Sequence, residues 1–467
     1  VTPEPTTAGA LRAQGVTYET VKHEIRRNLV ARLTSGEERF PGIVGFDDTV
    51  LPELERALLA GHDIVLLGER GQGKTRLIRT LTGLLDEWTP VVDGCEINDH
   101  PLAPSCSGCR ARVAELGDDL PVSWRHRSER YGEKLATPDT SVGDLIGDVD
   151  PIKVAEGRTL GDPETVHYGL VPRTNRGIFS VNELPDLAER IQVALLNVLE
   201  ERDIQVRGYQ LRLPLDLLLV ASANPEDYTN RGRIITPLKD RFGAEIRTHY
   251  PLRLDHEIAM IRQEAELSWP APNPVVPEHL FEVIARFTRH VREAPAVDQR
   301  SGVSARFAIA AAETVAASAV RRAALSGEDV PVARVVDLPS VVPASRGKVE
   351  FDHVEEGREL EILGHLLKRS VAETYRARLA GADVSGLLAK FDDGTTVETG
   401  ELVSANDLLT RIGTVPGLAQ LMRRLGIDDG AESPGLAAAT VEFALEGLHL
   451  QKKLDKDEVP GRAVYGK

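Results

Sequence analysis

The sequence predicts an α/β fold: a parallel sheet with helices on both faces, followed by a small helical domain and a mainly helical C-terminal region. Three observations carry this. Apolar runs of strand length recur at 63–67, 177–182 and 215–221, with helix-like stretches between them, the alternation that builds a parallel sheet. The first run leads directly into a glycine-rich turn and then a helical pattern, Arg76-Leu77-Ile78-Arg79-Thr80-Leu81. Past about residue 250 helical patterns take over, the strongest being the alanine-rich stretch Ala305 to Leu325, built from the best helix former.

Taken in order, residues 1–39 read as a helical leader with a loose start. Residues 40–252 form the αβ core. Residues 253–326 form the small helical domain. The stretch 327–350 carries glycine and proline with little periodicity and reads as a linker. Residues 351–467 make the C-terminal region, with helical patterns such as Leu360-Glu361-Ile362-Leu363 through Tyr375.

Composition sets limits. Of the 467 residues 42% are hydrophobic but only 4% aromatic, so the core must be large and mostly aliphatic. A net charge of −16 argues against broad electrostatic binding of nucleic acid or acidic membranes. No apolar run approaches the ~18 residues of a membrane span, and the start shows no secretory signal. Three cysteines in such a chain make no disulfide framework. The cytoplasm is the expected compartment.

The turn after the first strand reads Gly68-Glu69-Arg70-Gly71-Gln72-Gly73-Lys74-Thr75, a complete P-loop between a strand and a helix. Its glycines let the backbone fold tightly and aim N–H groups at phosphates. The helix N-terminus adds partial positive charge. Lys74 is placed to reach the β- and γ-phosphates of ATP, and Thr75 to ligate Mg²⁺. A glycine-rich turn with a surface lysine is the bland alternative.

Ile178-Phe179-Ser180-Val181-Asn182-Glu183 is an apolar strand ending in two polar residues. In P-loop ATPases this place holds the Mg²⁺-associated Walker B acid and a water-activating glutamate. Glu183 fits the general base. Asn182 stands where aspartate is expected; it accepts hydrogen bonds but brings no charge, so weaker Mg²⁺ binding or slow turnover follows. Leu217 to Ala223 is another buried strand, and Asn224 at its carboxyl end could orient the attacking water. Arg241, in Pro237-Leu238-Lys239-Asp240-Arg241-Phe242-Gly243, could reach a neighbouring subunit's γ-phosphate as an arginine finger; a surface salt bridge explains it equally. Ser304 suits an N-cap, and Arg306 in the first turn could reach back to the nucleotide or simply be solvated.

The cysteines cluster as Cys95, Cys106 and Cys109, with His100 between them. Cys106-Ser107-Gly108-Cys109 has metal-knuckle spacing, and these four residues could hold Zn²⁺ tetrahedrally. A redox pair and free thiols in a surface insertion remain alternatives.

The order of these elements resembles the AAA+ ATPases, and more closely the magnesium chelatase I-subunit and MoxR-type branch, over roughly Phe40 to Ala324. Phe40-Pro41-Gly42-Ile43-Val44-Gly45 is similar to that branch's opening motif. Leu145-Ile146-Gly147-Asp148-Val149-Asp150, Gly169-Leu170-Val171 and Arg176-Gly177-Ile178-Phe179 resemble the approach to its Walker B strand. Leu195 through Arg202 looks like the next helix. Asp203 through Leu213 alternates like a β-hairpin around Arg207-Gly208, which in this branch faces the ring pore or a partner. The resemblance implies an AAA+ core with a helical lid. It makes Asn224 sensor 1, Arg241 the arginine finger and Arg306 sensor 2. It implies a homo-oligomeric ring, usually a hexamer, and a partner with a von Willebrand factor A domain. ATP would be used to remodel that partner or to assist metal insertion.

Two other classes compete. One is an ATP-gated scaffold in which Asn182 makes turnover negligible. The other is a DNA-acting ATPase, for which Leu408 to Gly426 could form two short helices carrying Arg411, Arg423 and Arg424. The acidic charge and the absence of a Gly-Ala-Phe-Thr-Gly-Ala loop speak against it, and a packed helical hairpin would explain the same residues.

Overall fold

The computed structural model describes residues 6–467 apart from 151, 153–154, 156–164, 201–203, 207–208, 212, 226–232, 271, 299–301, 352–356, 428–432 and 460. The chain divides into two compact units, Val1–His249 and Tyr250–Lys467.

In the first unit five strands form one all-parallel sheet: β1 (Ile64–Leu67), β2 (Tyr131–Leu135), β3 (Gly177–Asn182), β4 (Leu217–Ala223) and β5 (Ala244–Arg247). Their order is β5-β1-β4-β3-β2. β1, β3 and β4 are buried along their whole length. Both faces are covered, which is why these strands read as continuous apolar runs. Ile64, Leu66, Ile178, Leu218 and Val220 enter a core shared with helices Val21–Ser35, Val50–Ala60 and Lys74–Thr80. The alternate residues Val65, Leu67, Phe179, Val181, Leu217 and Leu219 enter a second core with helix Glu189–Glu200. Helices on both faces are therefore present as expected.

The local chemistry that starts and stops these helices is ordinary. Thr20 caps Val21–Ser35 by accepting the His23 N–H at 3.4 Å, and Gly36 ends it in the left-handed region, as helix C-termini often do. Among the described residues three antiparallel pairs leave the sheet, one of them Gly147–Val149 with Val166–Tyr168. Trp88–Val92 pairs antiparallel with Val122–His126 and encloses the cysteine segment with helix Ser107–Leu116. Ile204–Val206 pairs antiparallel with Tyr209–Leu211; this is the expected hairpin, whose turn Arg207-Gly208 lies outside the described residues.

The second unit is helical around one core, with Phe287, Phe307, Leu363, Phe391 and Phe443 inside it. Its C-terminal part also holds a three-stranded antiparallel sheet of Val397–Gly400, Arg462–Gly466 and Asp455–Val459, which the helical reading did not foresee. The stretch 327–350 contains a 3₁₀ helix, Val335–Ser340, and helix Val341–Ala344. Val335, Leu338 and Val341 are buried in the core, so this segment is packed structure. It also closes an ion network: fully buried Arg322 pairs with Glu328 at 3.0 Å and Asp337 at 3.2 Å, and Arg334 lies 3.4 Å from Glu442. A proline pattern cannot reveal partners supplied from elsewhere in the chain.

The segment 408–426 forms helices Ala405–Ile412 and Leu418–Arg424, with Leu408, Ile412, Leu421 and Met422 in the core. Arg411 pairs with Glu398 at 3.0 Å and Arg424 donates to the Ala380 carbonyl at 2.7 Å. Both arginines are engaged within the unit, the arrangement of a packed hairpin.

Candidate functional site

The site is built at the carboxyl ends of β1, β3 and β4, where β1 lies between β4 and β5. Open α/β sheets bind ligands at such ends, outside the strand crossovers. β1 runs into Gly68–Gly73, and helix Lys74–Thr80 begins directly after it. Gly71 and Gly73 have φ of 73° and 79°, a region that favours glycine. A Cβ on Gly68 would collide with the side chains of Thr248 and Gln72, which are themselves joined by a 2.7 Å hydrogen bond. The loop is thus pinned from the β5 side as well as by its own turns.

Lys74 is 6% exposed, unusual for a lysine unless its ammonium is well paired. It donates to the Gly68 carbonyl, to the Glu69 carbonyl at 2.9 Å and to Asn224 Oδ1 at 2.7 Å. Asn224 Nδ2 in turn donates to Glu183 Oε2 at 2.6 Å. Three of the residues singled out from sequence therefore form one connected chain, Lys74–Asn224–Glu183, across two strand ends and the P-loop. Glu183 sits at φ 55°, ψ 48°. A left-handed conformation at a non-glycine residue costs on the order of 1 kcal/mol and turns the residue out of the strand.

Asn182 is 7% exposed. Its Nδ2 donates to Glu133 Oε1 at 2.6 Å, while Ser180 and Ser222 hydroxyls lie 3.4 Å from its Oδ1. Glu133, on β2, was not recognised from sequence. Its strand carries no distinctive motif, and only the parallel register that sets Leu135 beside Asn182 brings it into the site. Glu133 also accepts from Arg79 at 2.9 and 3.1 Å and from Tyr131 at 3.0 Å. Burial alone would raise its pKa, but the Arg79 and Tyr131 hydrogen bonds outweigh it and hold the carboxyl below its usual range. A charged carboxylate thus sits against the neutral Asn182.

Beside the loop opens a cavity of about 420 Å³, lined by Gly68, Gln72, Pro225, Lys239, Arg247 and Thr248 among others. Thr75 is half-buried in the first turn of the helix, and Glu69 and Arg70 lie on the loop. The second unit holds a slightly larger cavity, about 470 Å³, but no glycine loop or lysine of this kind lines it, and size alone does not select a site.

Of the two arginines named from sequence, Arg241 lies outside this cluster and Arg306 belongs to the second unit. Arg241, at the end of helix Thr236–Arg241, pairs with Glu200 on the surface. Arg306 is exposed in the first turn of helix Ala305–Ser326 in the second unit, where its N–H is capped by Ser304 Oγ at 3.2 Å.

The cysteine cluster differs from expectation in one ligand. Potential ligand atoms of Cys95, Asp99, Cys106 and Cys109 all lie within 4.8 Å of one another. His100 is not among them. Its Nδ1 accepts the Leu102 N–H at 3.1 Å, and its ring packs edge-on against Tyr18 at 5.4 Å. Burial, with Arg176 adding to it, drives its pKa down to about 3, so it is a neutral core histidine. Spacing alone favoured the more familiar ligand; in the fold it is the neighbouring Asp99, just after the left-handed Asn98 (φ 58°), that faces the sulfurs.

Comparison with known proteins agrees with this geometry. Residues 158–241 match the family model described as the sigma-54 interaction domain. The magnesium-chelatase subunit ChlI of Guillardia theta is 31% identical over 191 residues, 40% of this chain and 50% of that protein. ChlI-2 of Arabidopsis thaliana is 30% identical over 215 residues, 44% of this chain and 47% of that protein. ChlI of Synechocystis is 29% identical over 255 residues, 52% and 65%. The chain thus spans about half the length of the first of these relatives. Among solved structures, a cryo-EM-based model of the complex between BchI and BchD of magnesium chelatase is 22% identical, covering 69% of this chain and 98% of that one at a TM-score of 0.36. NtrX from Brucella abortus is 13% identical, covering 76% and 68% at 0.39. Scores this low add nothing to the fold derived above. Motif order and sheet are those of the AAA+ fold, and the sequence relatives make the chain similar to the magnesium-chelatase I subunits over about half their length.

Proposed function

We propose that the chain binds ATP with Mg²⁺ and hydrolyses it as one subunit of a homo-oligomeric ring, a hexamer by family analogy, and that it spends the energy remodelling a protein partner. The observation that carries this reading is the Lys74–Asn224–Glu183 chain of hydrogen bonds, which joins a phosphate-binding lysine to a candidate base through one bridging amide. In it, Gly68, Glu69, Arg70, Gly71, Gln72 and Gly73 wrap the phosphates with backbone N–H groups. Lys74 exchanges its protein acceptors for phosphate oxygens. Asn224 holds the attacking water beside Glu183, which accepts its proton. Arg241 serves the neighbouring subunit's nucleotide once released from Glu200, and Arg306 acts as sensor 2. The partner is a protein with a von Willebrand factor A domain, and assistance in metal insertion is one form the work could take.

The donor set fits Mg²⁺, a hard cation that takes oxygen ligands. Thr75 Oγ1 would ligate it, with Asn182 Oδ1 and the Glu133 carboxylate facing its water shell. When bound it would neutralise charge on the phosphates. Glu133 offers the negative charge that Asn182 lacks.

A second reading, an ATP-gated scaffold, is favoured by Asn182 itself: with a neutral residue at this position, ATP could set assembly with little turnover. Transcriptional activation is the weakest reading. The sigma-54 match covers only 158–241, and the contact loop Gly-Ala-Phe-Thr-Gly-Ala is missing from the sequence.

Steady-state ATPase activity across protein concentrations decides between the first two. Activity per subunit that rises with concentration, and is lost in both Lys74→Ala and Glu183→Gln, supports the ring motor. Tight ATP binding that vanishes in Lys74→Ala, with no turnover in the unaltered chain, supports the scaffold.

A further inference from the structure

The cysteine segment leaves an energetic question that the nucleotide site does not answer. Helix Ser107–Leu116 buries a single residue, Cys109. The apolar cluster beneath it holds only Ala8, Val92, Cys109 and Leu120, with Cys95, Leu102, Cys106 and Val113 at its margin. Ordering a residue costs roughly 1–2 kcal/mol in backbone entropy, and this small cluster together with Ile97, which enters the larger core, is a weak counterweight for the stretch from Gly94 to Leu116. Small substructures of this kind usually carry a staple.

The staple's atoms are present. Cys95, Cys106 and Cys109 are free thiols, and with Asp99 they converge within 4.8 Å. A tetrahedral centre with Zn–S bonds of about 2.3 Å places its sulfurs about 3.8 Å apart, so only a small contraction is needed. Asp99 is 1% exposed. Its Oδ2 accepts the Cys106 N–H at 2.8 Å, whereas Oδ1 is buried and has no hydrogen-bond partner among the described residues. A buried carboxylate oxygen left this way is costly. Backbone amides also point at the sulfurs: the Asp99 N–H lies 3.4 Å from Cys95 Sγ, and the Cys109 N–H 3.2 Å from Cys106 Sγ. Such bonds, with Cys106 at a helix N-terminus, favour thiolates. A disulfide would engage two sulfurs and leave the third thiol and Asp99 Oδ1 without a partner. One divalent cation satisfies all four groups.

We propose that Cys95, Asp99, Cys106 and Cys109 form a closed structural site for a thiophilic divalent cation, Zn²⁺ being the fitting one, separate from the Mg²⁺·ATP site. On binding, the three thiols release three protons to solvent and form three metal–sulfur bonds, Asp99 supplies one oxygen, and no redox change occurs. With no position left for water, the ion organises the segment and does no chemistry.

The test uses the full chain, reduced and purified without chelators. Elemental analysis is expected to give about one zinc per chain. Exchange into Co²⁺ is expected to give the visible bands of tetrahedral cobalt with thiolate-to-metal charge transfer. Cys109→Ser and, separately, Asp99→Asn should weaken zinc binding by more than ~100-fold, beyond what second-shell changes cause, while fluorescent-ATP binding shows that each variant is folded. Stripping zinc from the unaltered chain should speed proteolysis within 95–116 and open the thiols to alkylation. Zinc and cobalt failing to bind the reduced chain would overturn the proposal. So would binding that survives both substitutions, or an intramolecular disulfide persisting after reduction.

Discussion

Replacing Asn182 by aspartate restores the residue type that P-loop ATPases carry, but in this chain it meets Glu133. Asn182 Nδ2 donates to Glu133 Oε1 at 2.6 Å; Asn182→Asp removes the donor and sets two carboxylates face to face. At an effective dielectric of about 20, two charges that relax to about 4 Å repel by about 4 kcal/mol. That corresponds to roughly 3 pKa units on the second carboxyl, enough for the pair to keep a proton at pH 7 or to seek a cation. The cost without Mg²⁺ should be about 3 kcal/mol, or some 6–12 °C in the unfolding midpoint of a unit of this size. Thermal unfolding with and without Mg²⁺, on Asn182→Asp, Glu133→Gln and the double variant, measures it. The single aspartate variant should be destabilised without Mg²⁺, largely rescued by Mg²⁺·ATP and by pH near 5, and restored by Glu133→Gln. If turnover is limited by charge at this position, the same variant should hydrolyse ATP faster at saturating Mg²⁺. An unchanged midpoint without Mg²⁺, or effects that add within ~0.5 kcal/mol, would falsify the claim that Glu133 supplies the missing charge.

Three further outcomes are expected. Glu24→Gln leaves Arg130 as a buried cation, since the pair is bidentate at 2.7 and 2.6 Å with side chains 8% and 3% exposed; denaturant titration should show a loss of about 3–5 kcal/mol. Burial drives the His279 pKa down to about 3, with Arg378 adding to it. The unfolded chain then binds the extra proton between about 6.5 and 3, so this histidine's stabilising contribution is complete above pH 6.5 and falls by up to ~1.4 kcal/mol per unit below it. A His279→Leu variant should flatten that slope, and an unchanged slope would place the acid sensitivity elsewhere. Gly68→Ala drives a methyl group into Thr248 and Gln72 and should weaken ATP binding, read by fluorescent-nucleotide titration, more than it lowers the melting temperature.

Much of the first unit is legible in sequence because its signals are contiguous. A P-loop is a run of eight residues whose conformation is set by its own glycines, so Gly71 and Gly73 turn as expected. The strands at 64–67, 177–182 and 217–223 are buried on both faces, and continuous apolar runs report that directly. Asn224 and Glu183 could be named because each follows such a run.

Other features needed partners that sequence proximity does not supply. Glu133 enters the site through strand register. Asp99 stands where spacing pointed to His100 because the fold gathers Asp99 with the three sulfurs and seats the His100 ring against Tyr18. The 327–350 segment is packed in part through pairs that Arg322 and Arg334 make with Glu328, Asp337 and Glu442 from separate parts of the second unit. The sequence by itself determined the nucleotide loop, the strand ends and the helical character of the second half, since these depend on interactions within a few residues. The tertiary structure alone decided which carboxylate stands beside Asn182 and which fourth group joins the cysteines, because hydrogen bonding and charge pairing act through space and select partners only once the chain has folded.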